Sequence, residues 1–274
     1  MINDSLIKNS WVFNFLRKNP FVRKIGRAAL KGFPLSQAFH GGFIFFDASD
    51  LSWAWVLGST LEQHDRDVQD LLLEYSKNNS IFIDIGCNVG LMTLSVLLRN
   101  KNIKALSIDP NPDVLSMLRR SAKKNGLAHR IEILEGVVSC RGGNVRFDRS
   151  GCTGGHIAQS GVEVAGFVFA DLINERQNKN GSLIKIDVEG FEVDLFECLG
   201  DLKNRHFITL VVELHPKGWN DIGDPKHCFD RLLESGALIR DLNGAAMEEI
   251  REDAWTQIVA TWSDKDGSRC VVPS

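Results

Sequence analysis

The side chains with the most chemical reach fall at the ends of short apolar runs. Ile81 to Ile85 carries Asp84 and is followed by the turn Gly86-Cys87-Asn88-Val89-Gly90 and an apolar helical stretch, Leu91, Leu94, Leu97 and Leu98. Ala105 to Ile108 is followed by Asp109, an acid about 20 residues past the turn, where a ribose-binding carboxylate is expected. Two later runs deliver Asp187 and Glu189, then Glu213 and His215. In an open parallel sheet, ligands sit outside strand C-termini. These acids and the histidine are therefore candidates for ligand binding and proton transfer, against the plainer reading of core strands whose polar ends meet solvent.

The glycine turn narrows the ligand. A dinucleotide fingerprint reads Gly-x-Gly-x-x-Gly, and its second glycine lets the backbone touch a pyrophosphate. Here Asn88 stands at that place and Gly90 comes one residue early. Asn tolerates a left-handed conformation, but its side chain would crowd a pyrophosphate. S-adenosylmethionine has ribose and adenine and no phosphate, and it suits this turn better than NAD. Asp84 would organise the loop and the cofactor's amino-acid end, and Asp109 would bind ribose hydroxyls. Pro110 and Asn111 would border the adenine, with Val137, in the stretch from Gly136 to Val138, at its other edge.

Methyl transfer is an in-line displacement, so holding nucleophile, carbon and sulfur in line supplies much of the acceleration. A hydroxyl acceptor needs a base. His215, with an ordinary pKa of about 6.5, is one candidate, and Asp187 is a rival. Glu189 and Glu213 are placed to share the site. These four could instead hold a divalent ion. The simpler expectation is no metal, with the carboxylates positioning substrate. The bland alternative for His215 is a structural histidine next to Pro216.

The elements that must position these groups alternate as strands and helices, which implies a parallel sheet. Strands are expected near 80–85, 104–109, 131–135, 182–187 and 207–213. The helix after the second strand is capped by Asn111, has Pro112 in its first turn, and ends at Gly126. Its apolar residues Val114, Leu115, Leu118 and Ala122 recur at helical spacing. Residues 41–73 read as a short hairpin or loop and then a helix. Ala237 to Leu242 and Trp255 to Thr261 read as a final β pair. The glycine-rich stretch around Gly151 to His156, with Gly161 and Gly166, reads as a mobile lid or a plain surface loop.

Four segments resemble the FkbM-type methyltransferases. They are Asp-Ile-Gly-Cys-Asn-Val-Gly at 84–90, Asp-Pro-Asn-Pro at 109–112, Lys-Ile-Asp-Val-Glu-Gly-Phe-Glu at 185–192 and Val-Glu-Leu-His-Pro at 212–216. The resemblance covers residues 80–216 well and, more loosely, the remainder to Trp262. It departs at Cys87, where the family often has Ala, and at Asp109, where Glu is commoner. It implies S-adenosylmethionine as cofactor. It also implies a class I methyltransferase fold: an α/β, Rossmann-like, doubly wound, mostly parallel seven-stranded sheet with one antiparallel strand.

Composition agrees. The 274 residues, 43% of them hydrophobic, suit one α/β domain (76–274) behind an N-terminal extension and cap (1–75). A formal net charge of −3 implies no general polyanion affinity. The six cysteines are scattered without metal-like pairs, as small hydrophobes in a reducing compartment are. No apolar run has the length of a spanning helix and no signal peptide is evident, so a cytoplasmic location is expected. The extension is basic and aromatic, with Lys8, Arg17, Lys18, Arg23 and Lys24 among Trp11, Phe13, Phe15 and Phe21. It reads as a cap packed on the domain, or else as a peripheral contact with anionic lipid. Trp53 and Trp55 alternate as strand residues do, for core packing or for stacking on a sugar.

The expectation is thus an S-adenosylmethionine-dependent methyltransferase. The resemblance favours a hydroxyl on a glycan, a glycolipid or a secondary metabolite. The alternatives are a nucleic-acid methyltransferase, which lacks support in the charge pattern, and a non-catalytic cofactor-binding subunit. A dehydrogenase is disfavoured by the turn.

Overall fold

The computed structural model describes residues 31–49, 61–148, 156–157, 161–176, 180–216, 225–250 and 255–263. Most of the basic extension, Trp53, Trp55 and the run from Gly151 to Gly155 lie outside these residues. The chain opens with a hairpin, β1 (Pro34–Phe39) and β2 (Gly42–Asp47), and then α1 (Arg66–Ser76). The main sheet uses β3 (Ile81–Ile85), β4 (Lys104–Asp109) and β5 (Ile131–Glu135), linked by α2 (Leu91–Arg99) and α3 (Pro112–Lys124).

The chain then makes an excursion. β6 (Val137–Ser139), β7 (Gly143–Asp148), β8 (His156–Ile157) and β9 (Val162–Val168) form a separate four-stranded sheet, closed by α4 (Phe169–Arg176). The main sheet resumes with β10 (Ser182–Ile186), α5 (Glu192–Glu197), β11 (Ile208–Leu214), α6 (Pro225–Glu234), β12 (Leu238–Arg240) and β13 (Thr256–Thr261).

The main sheet has the order β12-β13-β11-β10-β3-β4-β5. β10, β11, β3, β4 and β5 are mutually parallel, and β13 runs antiparallel to both of its neighbours. This is the seven-stranded, singly antiparallel sheet of class I methyltransferases. The order reverses between β3 and β10, so a crevice opens outside their C-terminal ends, where such sheets bind ligands.

Strand composition explains the sheet. β10 is buried at every position, and β3 at all but its first. Strands covered on both faces read as continuous apolar runs, as here, rather than alternating ones. One face packs Ile83, Ile184, Leu210 and Ile258 against Phe169, Phe196 and Phe229. The other packs Phe82, Leu183 and Val211 against Leu94, Leu97, Leu118, Leu72 and Ile44. The hairpin and α1 belong to this second core. Ser121 Oγ accepts the Phe45 N–H at 2.8 Å, and Asn125 Oδ1 accepts that of Phe43 at 2.9 Å, fastening the hairpin to α3.

α3 begins and ends as its sequence predicts. Asn111 Oδ1 accepts the Asp113 N–H at 3.0 Å, Pro112 opens the helix, and Gly126 beyond it has φ 70°. The main difference from expectation is the second sheet. The glycines of this region suggest loop, yet Val145, Phe147 and Val164 pair across strands and bury a small core of their own with Val137. Gly166 lies where β7 and β9 meet: a Cβ there would be 2.1 Å from the Gly143 carbonyl oxygen. Glycine permits that close approach between strands.

Candidate active site

The turn after β3 is built as a left-handed loop. Gly86, Asn88 and Gly90 have φ of 80°, 51° and 85°. The glycines, however, make room for this chain rather than for a ligand. A Cβ on Gly86 would sit 1.7 Å from the Asp187 carbonyl oxygen, and one on Gly90 would sit 2.3 Å from Leu118 Cδ1. The loop is tied to its neighbours by the N–H groups of Gly86 and Cys87, which donate to the Ile108 carbonyl at 2.9 and 3.0 Å. Cys87 is buried, and burial pushes its thiol well above the ordinary range, so it serves as packing.

Asp109 closes the loop from the side. Its Oδ2 accepts the Asn88 N–H at 2.9 Å, and its Oδ1 accepts the Asn111 N–H at 2.8 Å. Burial outweighs these hydrogen bonds and raises its pKa to about 6. Pro110 and Asn111 are half-buried beside it. Gly136 N–H donates to the Asp109 carbonyl at 3.1 Å, which brings buried Val137 to the same rim. The residues assigned to ribose and adenine therefore converge.

Asp84 differs from a simple loop organiser. It is fully buried, and its Oδ2 accepts the Thr93 hydroxyl at 2.6 Å, with Thr93 also bonded to Ser107 at 2.7 Å. Its Oδ1 is buried without a hydrogen-bond partner among the described residues. Burial raises its pKa, against the pull of Lys185. A buried carboxylate oxygen lacking a donor leaves room for one from outside. The ammonium end of S-adenosylmethionine is a donor of suitable charge, and with the loop and Asp109 the residues fit that cofactor.

The second cluster gathers at the ends of β10 and β11. His215 Nε2 lies 3.5 Å from Glu213 Oε1, 3.7 Å from Glu189 Oε2 and 3.9 Å from Asp187 Oδ1. The four residues named from the sequence thus meet at one point. Glu189 arrives by an unforeseen route: the strand ends at Ile186, and a left-handed turn (φ 52° at Glu189, 105° at Gly190) carries its carboxylate back. Asp187, Glu213 and His215 offer ligand-type atoms within 4.8 Å of one another, a spacing that a divalent ion could bridge.

Charge governs this cluster. Despite desolvation, the hydrogen bond to Glu192 and the surrounding carboxylates, Glu213 and Asp187 among them, raise the His215 pKa to about 10. Glu213 is desolvated, but the neighbouring His215 and a hydrogen bond from Gln257 (3.0 Å) hold its carboxyl down at about 2. Glu189 is pushed upward by burial. Sequence reading passed over Lys185 and Glu192. Lys185 is buried and pairs with Asp187 at 2.8 Å; burial disfavours its charge, but Asp187 and Asp84 overcome this and hold it firmly cationic. Its signal was spacing: Lys185 and Asp187 lie two apart, and Lys185 is in register with Asp84 on β3. Glu192 had no such signal, because only the turn at 189–190 directs it inward.

Comparison with known proteins identifies the family. The family model described as the methyltransferase FkbM domain matches residues 84–243. A probable cobalt-precorrin-6B C(15)-methyltransferase (decarboxylating) of Methanobrevibacter smithii is 27% identical over 138 residues, which is 50% of this chain and 68% of that protein. Among solved structures, M. jannaschii TYW2 in complex with AdoMet aligns with a TM-score of 0.47 at 12% identity, covering 84% of this chain and 86% of that one. Precorrin-6y C5,15-methyltransferase from Geobacter metallireducens aligns with a TM-score of 0.41 at 14% identity, covering 72% and 89%. The family match takes in more than half of the chain and every candidate site residue: the chain belongs to the FkbM methyltransferase family, with S-adenosylmethionine as its methyl donor.

Proposed function

We propose that this protein transfers a methyl group to a hydroxyl oxygen of a small-molecule or glycan acceptor. The observation that supports this reading best is the convergence of Asp187, Glu189, Glu213 and His215 beside the cofactor loop. S-adenosylmethionine would be held by the glycine loop and Asp109 and would supply a methyl group on a cationic sulfonium. The pKa of His215 is raised to about 10, so the ring must first release a proton to solvent to act as a base. Once neutral, its Nε2 can take the acceptor's proton, while Asp187 and Glu213 orient the hydroxyl. Lys185 pairs with Asp187 and fixes the position of its carboxylate. Asp109 holds the ribose and Asp84 the amino-acid end.

The acidic lining is unfavourable to a phosphate backbone, which argues against a nucleic-acid acceptor. Among the described residues no helix is long and apolar enough to cross a membrane. We take the acceptor to be met in the cytoplasm, with any lipid contact made through the basic N-terminus.

The test is transfer of label from methyl-labelled S-adenosylmethionine to oligosaccharide, polyol, glycolipid and tRNA pools. Label recovered as a methyl ether supports the reading. Label on a base nitrogen or carbon overturns it. The same assay after exhaustive chelation is expected to show undiminished turnover, and loss of turnover restored by a divalent ion would replace the metal-free mechanism.

A further inference from the structure

Glu192 has no part in the proton path above, yet its side chain is fully buried at the start of α5. A buried carboxyl group in that position needs hydrogen-bond partners. Its Oε1 accepts the Gly190 N–H at 3.2 Å and faces His215 Nδ1 at 3.0 Å. An oxygen already accepting a backbone N–H acts as acceptor again, so Nδ1 carries a proton and donates it to Glu192. The other ring nitrogen is then directed to the ring of Glu213, Glu189 and Asp187. Its distances there, 3.5 to 3.9 Å, exceed those of a well-formed hydrogen bond. His215 is therefore held tightly from behind and loosely in front.

We propose that Glu192 is the positioning residue of the site, fixing the His215 ring so that Nε2, and not Nδ1, faces the acceptor hydroxyl. The inference rests on the O-methyl transfer reading. A carboxylate behind an imidazole sets its tautomer and orientation in other hydrolytic and transfer sites. Here the pair is assembled by the turn at Glu189 and Gly190, which brings the first residue of α5 behind the end of β11. An imidazole free to rotate would present either nitrogen, and half of its orientations would be unproductive.

The test is nitrogen-15 NMR of the full-length protein labelled at histidine. His215→Asn assigns the resonance, and Glu192→Gln and Glu192→Ala are compared with wild type near neutral pH. The wild-type protein is expected to show a slowly exchanging, downfield Nδ1 proton at His215. Glu192→Ala should lose it. Glu192→Gln, whose amide oxygen still accepts, should keep it with a smaller downfield shift. An Nδ1 signal absent from wild type, or unchanged in Glu192→Ala, overturns the proposal. Should Glu192→Ala not fold, a Glu192→Gln signal identical to wild type overturns it instead. Titration with S-adenosylhomocysteine is run in parallel. Failure of wild type to bind would sink the methyltransferase reading, while the NMR comparison would still decide the role of Glu192.

Discussion

At the residue scale, the two halves of the site are distinguished by what satisfies their charges. Asp109 is held by backbone N–H groups, so it can accept ribose hydroxyls without rearrangement. Asp109→Ala is expected to weaken S-adenosylhomocysteine binding at least about tenfold, as loss of hydrogen bonds to a charged group does. Calorimetry checks this. Its pKa is raised to about 6, so wild-type affinity should fall as pH drops below that value and the carboxylate protonates. His215 has the opposite sign. Its folded pKa, about 10, exceeds its unfolded value, so the stability it contributes is full below about pH 6.5 and lost as pH rises through about 10. Melting curves of wild type and His215→Asn should differ most at about pH 6.5 and just below, and converge toward pH 10. A constant difference would mean that the histidine is held by packing rather than by charge.

At the scale of elements, the connections matter more than the strands. The left-handed turn after β3 is set by contacts with the loop after β10 and with α3. Gly86→Ala places a Cβ against backbone, which cannot yield, and at positive φ; it should cost on the order of 1–3 kcal/mol or more. Gly90→Ala, also at positive φ, meets only the end of a leucine side chain, and should cost less, on the order of 1–2 kcal/mol. Chemical denaturation of the two variants should show this order, and reversal would mean that the turn is shaped by its ligand. The small sheet β6–β9 escaped sequence reading for a related reason. Its strands are short, and register with distant partners carries the signal. The helix α3, by contrast, carries cap, stripe and stop within its own residues.

At the scale of the whole molecule, the hairpin and α1 share a core with the methyltransferase sheet. Ile44 is fully buried there with Leu72 and Phe82. Ile44→Ala should destabilise the entire fold in one transition by about 2–5 kcal/mol. A separate early transition, with the sheet still folded, would show the hairpin to be an independent unit. The hairpin thus completes one face of the sheet, a task that no local pattern in β1 or β2 reveals, since its partners Leu94, Leu118 and Phe82 lie far along the chain.

The sequence by itself determined the central strands, the capped helix, the glycine turn and the acids that end each strand. Each of these is local: periodicity, turn chemistry and capping act over a few residues. It also marked Asp187, Glu189, Glu213 and His215 individually. Only the tertiary structure decided that they meet at one nitrogen, that Asp84 is buried with an oxygen unpartnered among the described residues, and that Lys185 and Glu192 belong with them. Those facts depend on which strands are neighbours and how deeply their ends are desolvated. Proximity of the carboxylates, working against desolvation, also raised the pKa of this histidine to about 10.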